Sequence, residues 1–184
     1  MARNSARKGV ISVFGSGSVL YESSAYATAQ ELGRLIAEAG YKTQTGGYGG
    51  VMEAAARGAK QAGGDSIGCL LKKWPKGNPF LVESLVFDDI YDRLRQLLTA
   101  SGFAIITDGG VGTFLEFTTY LWHLEKKWRD GEKRRLVIIK PAGENLGEWD
   151  QIMDPAVRLT SFENGDFIRR SSSPAKAVRW LLAK

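Results

Sequence analysis

The sequence predicts an α/β protein with a single Rossmann-like, doubly wound parallel sheet of six or seven strands and helices on both faces. Short apolar runs alternate with longer segments of helical periodicity, as in repeated βαβ units. Two of these runs lead into glycine-rich loops, each followed at once by a helical pattern. The chain has 184 residues, of which 43% are hydrophobic, which suits one domain with a sizeable core.

Each element follows from the apolar pattern and from the turn residues between runs. The first strand covers residues 10–14 and leads through GSGS to a helix over about 23–39, with Leu32, Leu35 and Ile36 on one face. The other predicted strands cover residues 41–45, 65–71, 80–87, 103–107, 134–140 and 166–170. The other predicted helices are one that ends near residue 62 and those over 88–101, 113–129, 149–162 and 173–183. Residues 1–8 are expected to form a flexible basic arm ahead of a single domain over 9–184.

Composition and charge argue against several classes of protein. The net charge is +5, but much of the excess lies in residues 1–8 and 125–135. These charges fit a loose N-terminal arm and a solvated helix end, rather than the basic face with interleaved aromatic residues of a nucleic-acid-binding protein. One cysteine excludes an internal disulfide, and one histidine leaves little for a zinc site. No stretch approaches the roughly 18 apolar residues of a membrane span, and no signal-peptide pattern is present. We expect a cytoplasmic protein with no nucleic-acid or membrane partner.

Two glycine loops share one design and one edge of the predicted sheet. They lie in QTGGYGGVMEAAARGA (44–59) and TDGGVGTFLEF (107–117), each between a strand and a helix. Glycine lets backbone N–H groups approach an anion, and a helix N-terminus adds about half a positive charge. Together the loops could hold a phosphate and its sugar, although tight turns also need glycine. The candidate binding residues are Gly46, Gly47, Gly49 and Gly50 in the first loop and Gly109, Gly110 and Gly112 in the second.

A third glycine segment, GSGSVL (15–20), matches only part of the dinucleotide fingerprint G-x-G-x-x-G. Leu20 occupies the position of the third glycine, and no acidic residue closes the second strand to hold a ribose. NAD is therefore not expected. Gly15 and Ser16 could still lie over the base or phosphate of a mononucleotide.

Two charged side chains are candidates for chemistry near this edge. Arg93 lies in the second turn of the helix after the fourth strand, within reach of a bound anion. Its alternative role is a surface ion pair with Asp89 or Asp92. Glu116 lies three residues after Thr113, so the pair also fits a capping box, T-x-x-E, at the start of the helix.

The glycine loops resemble those of the LOG (Lonely Guy) family, whose paired signatures are GGGxxGxM and PGGxGTxxE. GGYGGVMEAA and DGGVGTFLE carry the resemblance, which covers most of the chain through VFGSG (13–17), YATAQELG (26–33) and EWDQIMDPAV (148–157). Family members are phosphoribohydrolases that act on nucleoside 5′-monophosphates, including cytokinin ribotides, and are often labelled lysine decarboxylases. No pyridoxal-phosphate site is recognisable in this sequence. The resemblance implies a nucleotide-binding Rossmann-like domain, a homodimer or higher homo-oligomer, and no metal or organic cofactor.

By this resemblance, Arg93 and Glu116 match the catalytic pair of the family. Its phosphate loop corresponds to Gly109, Gly110, Gly112 and Thr113. Asp108 stands where the family has proline and sets a carboxylate beside that loop; Thr45 and Leu94 are further departures. Related proteins of the superfamily carry the molybdenum cofactor without hydrolysing it, so a nucleotide- or cofactor-binding carrier remains the alternative function.

The remaining candidates have simpler explanations. Cys69 fits a buried strand position, and His123 fits a structural or interfacial one. The helix that contains His123, predicted over 113–129, also carries Tyr120, Leu121, Trp122 and Trp128. This is more apolar surface than one sheet face usually takes, which indicates packing between two copies. Trp74 and Phe80 flank a loop near the cleft rim, where an aromatic ring could stack on a base, although core packing is the alternative.

Overall fold

The computed structural model describes residues 7–129, 134–140, 148–160 and 167–183, which form one seven-stranded parallel sheet between two layers of helices. The strands are β1 (Val10–Phe14), β2 (Lys42–Thr45), β3 (Ser66–Leu71), β4 (Glu83–Phe87), β5 (Phe103–Ile106), β6 (Arg135–Ile139) and β7 (Ile168–Ser171). The helices are α1 (Ser24–Glu38), α2 (Val51–Gln61), α3 (Ile90–Thr99), α4 (Val111–Arg129), α5 (Glu148–Arg158) and α6 (Pro174–Leu182). The predicted fold class is confirmed.

The order of the strands places a crevice at the middle of the sheet. Neighbouring strands follow the order β4-β3-β2-β1-β5-β6-β7, and every described pairing is parallel. The chain therefore builds outward from β1 to β4 and then returns to the other side of β1 as β5. In such a sheet the connections leave β1 and β5 in opposite directions, and ligands bind beyond the carboxyl ends of those two strands.

Two apolar cores, one on each face of the sheet, hold the helices in place. Side chains alternate between the faces along each strand, so Val13 belongs to one core and Phe14 to the other. The first core joins the sheet to α1, α2 and α6, and the second joins it to α3, α4 and α5. Strands β1 and β6 are buried almost throughout, as expected for central strands of a parallel sheet.

Most predicted boundaries differ from the structure by at least one residue, and two of these differences have a clear physical reason. The strand predicted over 80–87 begins at Glu83, because its ladder with β3 starts where Glu83 pairs with Ile67. The helix predicted to begin at Thr113 begins at Val111, because the amide of Phe114 already bonds to the carbonyl oxygen of Gly110 at 3.0 Å.

The basic N-terminal segment is described only in part, since residues 1–6 lie outside the described residues. The Arg7 side chain donates hydrogen bonds to Asp65 and to the carbonyl oxygen of Gly63, and the Lys8 amide donates one to Gly40. Among the helices that are described, none is long and apolar enough to cross a membrane.

Helices α1 and α2 touch through glycine on both sides of their contact. A Cβ on Gly33 would lie 1.9 Å from the carbonyl oxygen of Ala55, and one on Gly58 would lie 1.8 Å from that of Gln30. The backbones therefore pack directly against each other, with no room for a side chain between them. This contact sets the position of α2, whose first turn borders the crevice.

Replacing Gly33 by alanine is expected to lower the free energy of unfolding by about 1–3 kcal/mol, because the added methyl group forces the two helices apart. Gly112→Ala is the matched control, since a Cβ at that helical glycine would meet nothing within 4 Å. Because alanine has a better helix propensity than glycine, Gly112→Ala is expected to raise the free energy of unfolding by up to about 1 kcal/mol. Chemical denaturation measures both effects; equal stability of the two variants would contradict the close contact.

Candidate functional site

The segment after β1 is clamped between two other elements at the carboxyl edge of the sheet. The amide of Ser16 donates to the carbonyl oxygen of Asp108 at 3.0 Å, and the carbonyl oxygen of Ser16 accepts from the amide of Val51 at 2.9 Å. Gly15 permits this approach, because a Cβ there would lie 2.1 Å from Oγ1 of Thr107. The loop after β1, the loop after β5 and the start of α2 are therefore joined through one residue.

The second glycine loop presents the N-terminus of α4 to the crevice. Val111, Gly112 and Thr113 form the first turn, and amides at this end of a helix have no acceptor within the helix. Nothing lies within 4 Å of a Cβ built on Gly110 or Gly112, so their crevice side is open. From α5, Nε1 of Trp149 donates to the carbonyl oxygen of Gly109 and holds the loop from behind. An open helix N-terminus of this kind favours an anion.

Arg93 reaches the crevice from α3 and is almost fully buried, at 8% exposure. Its Nε donates to the carbonyl oxygen of Cys69 at 2.7 Å, and one terminal nitrogen donates to that of Gly46 at 3.3 Å. The guanidinium also lies 5.8 Å from the centre of the Tyr48 ring. Backbone oxygen atoms and an aromatic face thus hold the cation in one orientation.

The alternative role of Arg93, a surface ion pair, is not realised. Asp89 caps α3 by accepting hydrogen bonds from the amides of Tyr91 and Asp92, and the Asp92 side chain pairs with Arg95 at 2.7 Å. Within the described part of the chain, no carboxylate lies within ion-pair distance of Arg93. The guanidinium keeps N–H groups for a ligand.

Glu116 lies in the second turn of α4 and faces the same cleft. It is half-buried, and desolvation raises its pKa to about 7, against the opposing effect of the Arg93 charge. The capping-box alternative is wrong, because α4 begins at Val111 and Thr113 therefore lies inside the helix rather than at its cap. The positive charge of Arg93 lowers the pKa of Glu116, but the two side chains form no ion pair, so each can still bind a ligand.

One cleft of about 280 Å³ brings these groups together. Seven of the predicted site residues line it: Gly15, Ser16, Arg93, Gly110, Gly112, Thr113 and Glu116. Three more were missed at the sequence level: Gly17, Ser18 and Met52. Gly17 and Ser18 belong to the same GSGS segment as the predicted pair, and Met52 matches the methionine of GGGxxGxM, so both signals were available. Two larger cavities lie beside α6, at about 530 Å³, and beside Trp74, at about 610 Å³. Of the cavities in the described part of the chain, the 280 Å³ cleft is the one that both Arg93 and Glu116 line.

The first glycine loop lies behind the cleft and does not line it. Gly46 makes room for Arg93, because a Cβ there would lie 2.3 Å from the guanidinium. Gly50, with φ of 62°, packs against the backbone of Ser16 and precedes the first turn of α2. Gly47 accepts a hydrogen bond from Asn78. Gly49 also does not line the cleft, so the structure places this loop as a support for Arg93 and for the segment after β1.

Asp108 and Gly109 likewise stand behind the cleft. Asp108 is half-buried, and its carbonyl oxygen accepts hydrogen bonds from the amide of Ser16 and from Oγ1 of Thr107. Gly109 makes room for the Thr113 side chain, since a Cβ there would lie 2.3 Å from Oγ1 of that threonine. Both residues shape the loop through the backbone.

The remaining two candidates, the thiol of Cys69 and the imidazole of His123, do not line the cleft. Cys69 is buried in β3, and desolvation raises the pKa of its thiol to about 12, so its contribution is the carbonyl oxygen that binds Arg93. His123 is half-buried on α4 and stands edge-to-face against Trp122, with ring centres 5.1 Å apart.

Comparison with known proteins identifies the family. The SLOG cluster4 family model matches residues 8–127, more than half of the chain, and the chain belongs to that family. An uncharacterised protein from Archaeoglobus fulgidus is 34% identical over 131 residues, which is 71% of this chain and 80% of that protein. The predicted resemblance is confirmed at the level of the LOG/SLOG superfamily.

Solved structures extend the similarity to nearly the whole chain. The molybdenum cofactor binding protein from Rippkaea orientalis is 25% identical, with a TM-score of 0.70, and 95% of this chain and 96% of that protein are covered. The molybdenum cofactor carrier protein of Chlamydomonas reinhardtii is 25% identical, with a TM-score of 0.72, and the coverage is 97% and 100%.

Because the pKa of Glu116 is raised, we expect this residue to make the free energy of unfolding depend on pH. The folded value of about 7 lies above the ordinary value of 4.5, so the folded state holds a proton that the unfolded state releases between these values. Stability linked to this proton is fully present below about pH 4.5 and is lost as the pH rises through 7. Glu116→Gln is therefore expected to raise the free energy of unfolding by roughly 1–3 kcal/mol at about pH 8, and by less at about pH 5.

Denaturation curves of wild type and Glu116→Gln at both pH values measure this difference. Glu22→Gln serves as the control, because Glu22 is exposed and its substitution should change the free energy of unfolding by no more than about 0.5 kcal/mol. A stability gain for Glu116→Gln that is the same at both pH values would show that the carboxylate is not desolvated.

Proposed function

We propose that this protein is a nucleoside 5′-monophosphate phosphoribohydrolase, which releases the free base and ribose 5-phosphate from AMP or a cytokinin-ribotide-like substrate. The observation that carries the proposal is that Arg93 and Glu116 share one cleft with the N-terminus of α4. A phosphate site, a fixed cation and a carboxylate that titrates near neutral pH are the groups that this hydrolysis requires.

The phosphate is assigned to the start of α4. Amides of the first turn and the helix dipole favour its negative charge, and the open sides of Gly110 and Gly112 let its oxygen atoms approach the backbone. Three residues with hydroxyl groups, Ser16, Ser18 and Thr113, line the same space. Ser16 Oγ accepts a hydrogen bond from the amide of Ser18 at 3.2 Å, and its own hydrogen can be donated to a phosphate oxygen.

Glu116 supplies the carboxylate for cleavage of the N-glycosidic bond. The bond between C1′ and the base nitrogen breaks with its electron pair leaving on the nitrogen, and positive charge develops on the ribose. The ionised carboxylate stabilises that charge and accepts a proton from the water that attacks C1′. The same proton then passes to the base, directly or through solvent, which regenerates the carboxylate.

Arg93 fixes the substrate relative to Glu116. Two of its N–H groups are occupied by the carbonyl oxygen atoms of Cys69 and Gly46, so the guanidinium cannot swing away. The remaining N–H groups can bind a phosphate or ribose oxygen as charge-assisted hydrogen bonds. A cation held in advance reduces the reorganisation needed to reach the reactive geometry.

Two substitutions test the hydrolase directly. Glu116→Gln is expected to lower kcat for adenine release from AMP by about 10²–10⁴, because it removes the group that accepts the proton. Arg93→Ala should also abolish release, whereas Arg95→Ala, on the same helix but paired with Asp92 at the surface, should retain wild-type activity. Chromatographic detection of the free base is the measurement. Absence of base release by the wild type from a panel of purine and pyrimidine 5′-monophosphates would refute the hydrolase.

A non-hydrolytic carrier is the second candidate function. The similar solved structures named above are a molybdenum cofactor binding protein and a molybdenum cofactor carrier, matched over at least 95% of this chain. Asp108, in place of the proline of the LOG motif, adds a carboxylate next to the phosphate loop. The same cradle of loop and helix amides would bind the phosphate of a pterin as its cargo, without need of cleavage.

The carrier predicts a different response to substitution of Glu116. Its ligand should raise the melting temperature of the protein and remain intact, and Glu116→Gln should leave the dissociation constant within about twofold. Thermal shift and calorimetry with nucleotides, followed by mass analysis of the recovered ligand, measure this. Recovery of cleaved ligand would exclude the carrier.

We also propose that two copies of the chain pack through α4. Val111, Leu115 and Trp122 lie along one side of this helix and are 86%, 43% and 56% exposed. Tyr120 and Leu121, counted with this surface at the sequence level, are instead buried in the core. The Trp128 side chain, which was also predicted to belong to this surface, lies outside the described part of the structure. A cytoplasmic location and the absence of a nucleic-acid partner stay predictions.

A further inference from the structure

Trp74 is the one large aromatic side chain on the loop between β3 and β4 that stands well exposed, at 55%. This loop leaves β3 at the carboxyl edge of the sheet, the edge that carries the candidate cleft. Core packing, the alternative considered from the sequence, is therefore not its role. The backbone that carries this exposed tryptophan is held in place by several hydrogen bonds.

Hydrogen bonds fix this loop to the first glycine loop. The amide of Trp74 donates to Leu71 at 2.8 Å, and the carbonyl oxygen of Trp74 accepts from the hydroxyl of Tyr48 at 3.1 Å. That hydroxyl also accepts from the amide of Leu71 at 2.9 Å. The side chain of Asn78 donates to the carbonyl oxygen atoms of Gly47 and Tyr48 at 3.2 and 3.0 Å. The indole therefore projects from a backbone that is held in place before any ligand arrives.

Tyr48 connects this aromatic surface to the candidate cleft. It lines a cavity of about 610 Å³ together with Lys73, Trp74, Pro75 and Lys76. The centre of the Tyr48 ring also lies 5.8 Å from the guanidinium of Arg93, which lines the cleft with Glu116. A ligand held by Arg93 thus has an aromatic wall beside it.

We propose that Trp74, with Tyr48, is the platform for the planar heterocyclic base of the ligand whose phosphate binds at the start of α4. This inference rests on the nucleotide binding proposed above and adds where the base is held. A base stacks on an aromatic ring through its π-face, which every base has, so the platform accepts more than one base. Lys73, whose ammonium lies 5.0 Å from the Trp74 ring centre, is exposed and yields its place to the base at little cost.

A comparison of the affinities for AMP and for ribose 5-phosphate isolates the contribution of the base to binding. Both are titrated calorimetrically into Glu116→Gln protein, which prevents turnover, with and without Trp74→Ala. The platform predicts that Trp74→Ala weakens AMP binding by roughly tenfold or more, the size of a base–aromatic stack. Binding of ribose 5-phosphate should stay within about twofold.

Two further variants make the result specific. Trp74→Phe keeps an aromatic face and should retain most of the affinity for AMP. Tyr91→Ala removes another exposed aromatic side chain, on α3, and should leave the binding of both ligands unchanged. Unchanged AMP binding in Trp74→Ala, or equal weakening of both ligands, would overturn the platform. Equal affinity of the parent Glu116→Gln protein for the two ligands would overturn it while leaving the phosphate site intact. Binding of neither ligand by that parent or by wild type would refute the proposed nucleotide function, and the platform with it.

Discussion

The two backbone hydrogen bonds of Ser16 are the constraint on which the site depends. One joins the segment after β1 to the loop after β5, and the other joins it to the first turn of α2. Without them, the N-terminus of α4 and the first turn of α2 would each follow its own strand, and no cleft would have fixed walls. The central strands are buried and closely packed, so their ends have fixed positions. The two hydrogen bonds of Ser16 hold the loops that follow these strands in a fixed arrangement.

Burial of charge is the energetic cost that this arrangement carries. Arg93 is almost completely removed from water and is stabilised by carbonyl oxygen atoms and a tyrosine ring rather than by a carboxylate. Glu116 is desolvated close by and does not neutralise it. A chain selected for stability alone would pair or expose these groups. Their separation across an open cleft is typical of a site that reserves both charges for a ligand.

Much of the fold could be predicted from the sequence, because central parallel strands are continuous apolar runs and the glycine loops mark their ends. The start of α4 could not, since Thr113 followed by Glu116 satisfies the capping-box pattern equally well, and only the bond from Phe114 to Gly110 decides between them. The first glycine loop was predicted to bind ligand, yet its glycines lie behind the cleft. The need for Gly46 comes from Arg93, which is 47 residues away and brought near only by the tertiary fold.

The direct backbone contact between α1 and α2 has a consequence for the far side of α2. No side chain separates Gly33 and Gly58 from the opposing helix, so α2 cannot move closer to α1. The depth at which Met52 enters the cleft is therefore set by the contact of α2 with α1. The contact acts as a mechanical stop. Relatives that carry a larger residue at either glycine would hold α2 further out, and would acquire a differently shaped cleft without any change in the residues that line it.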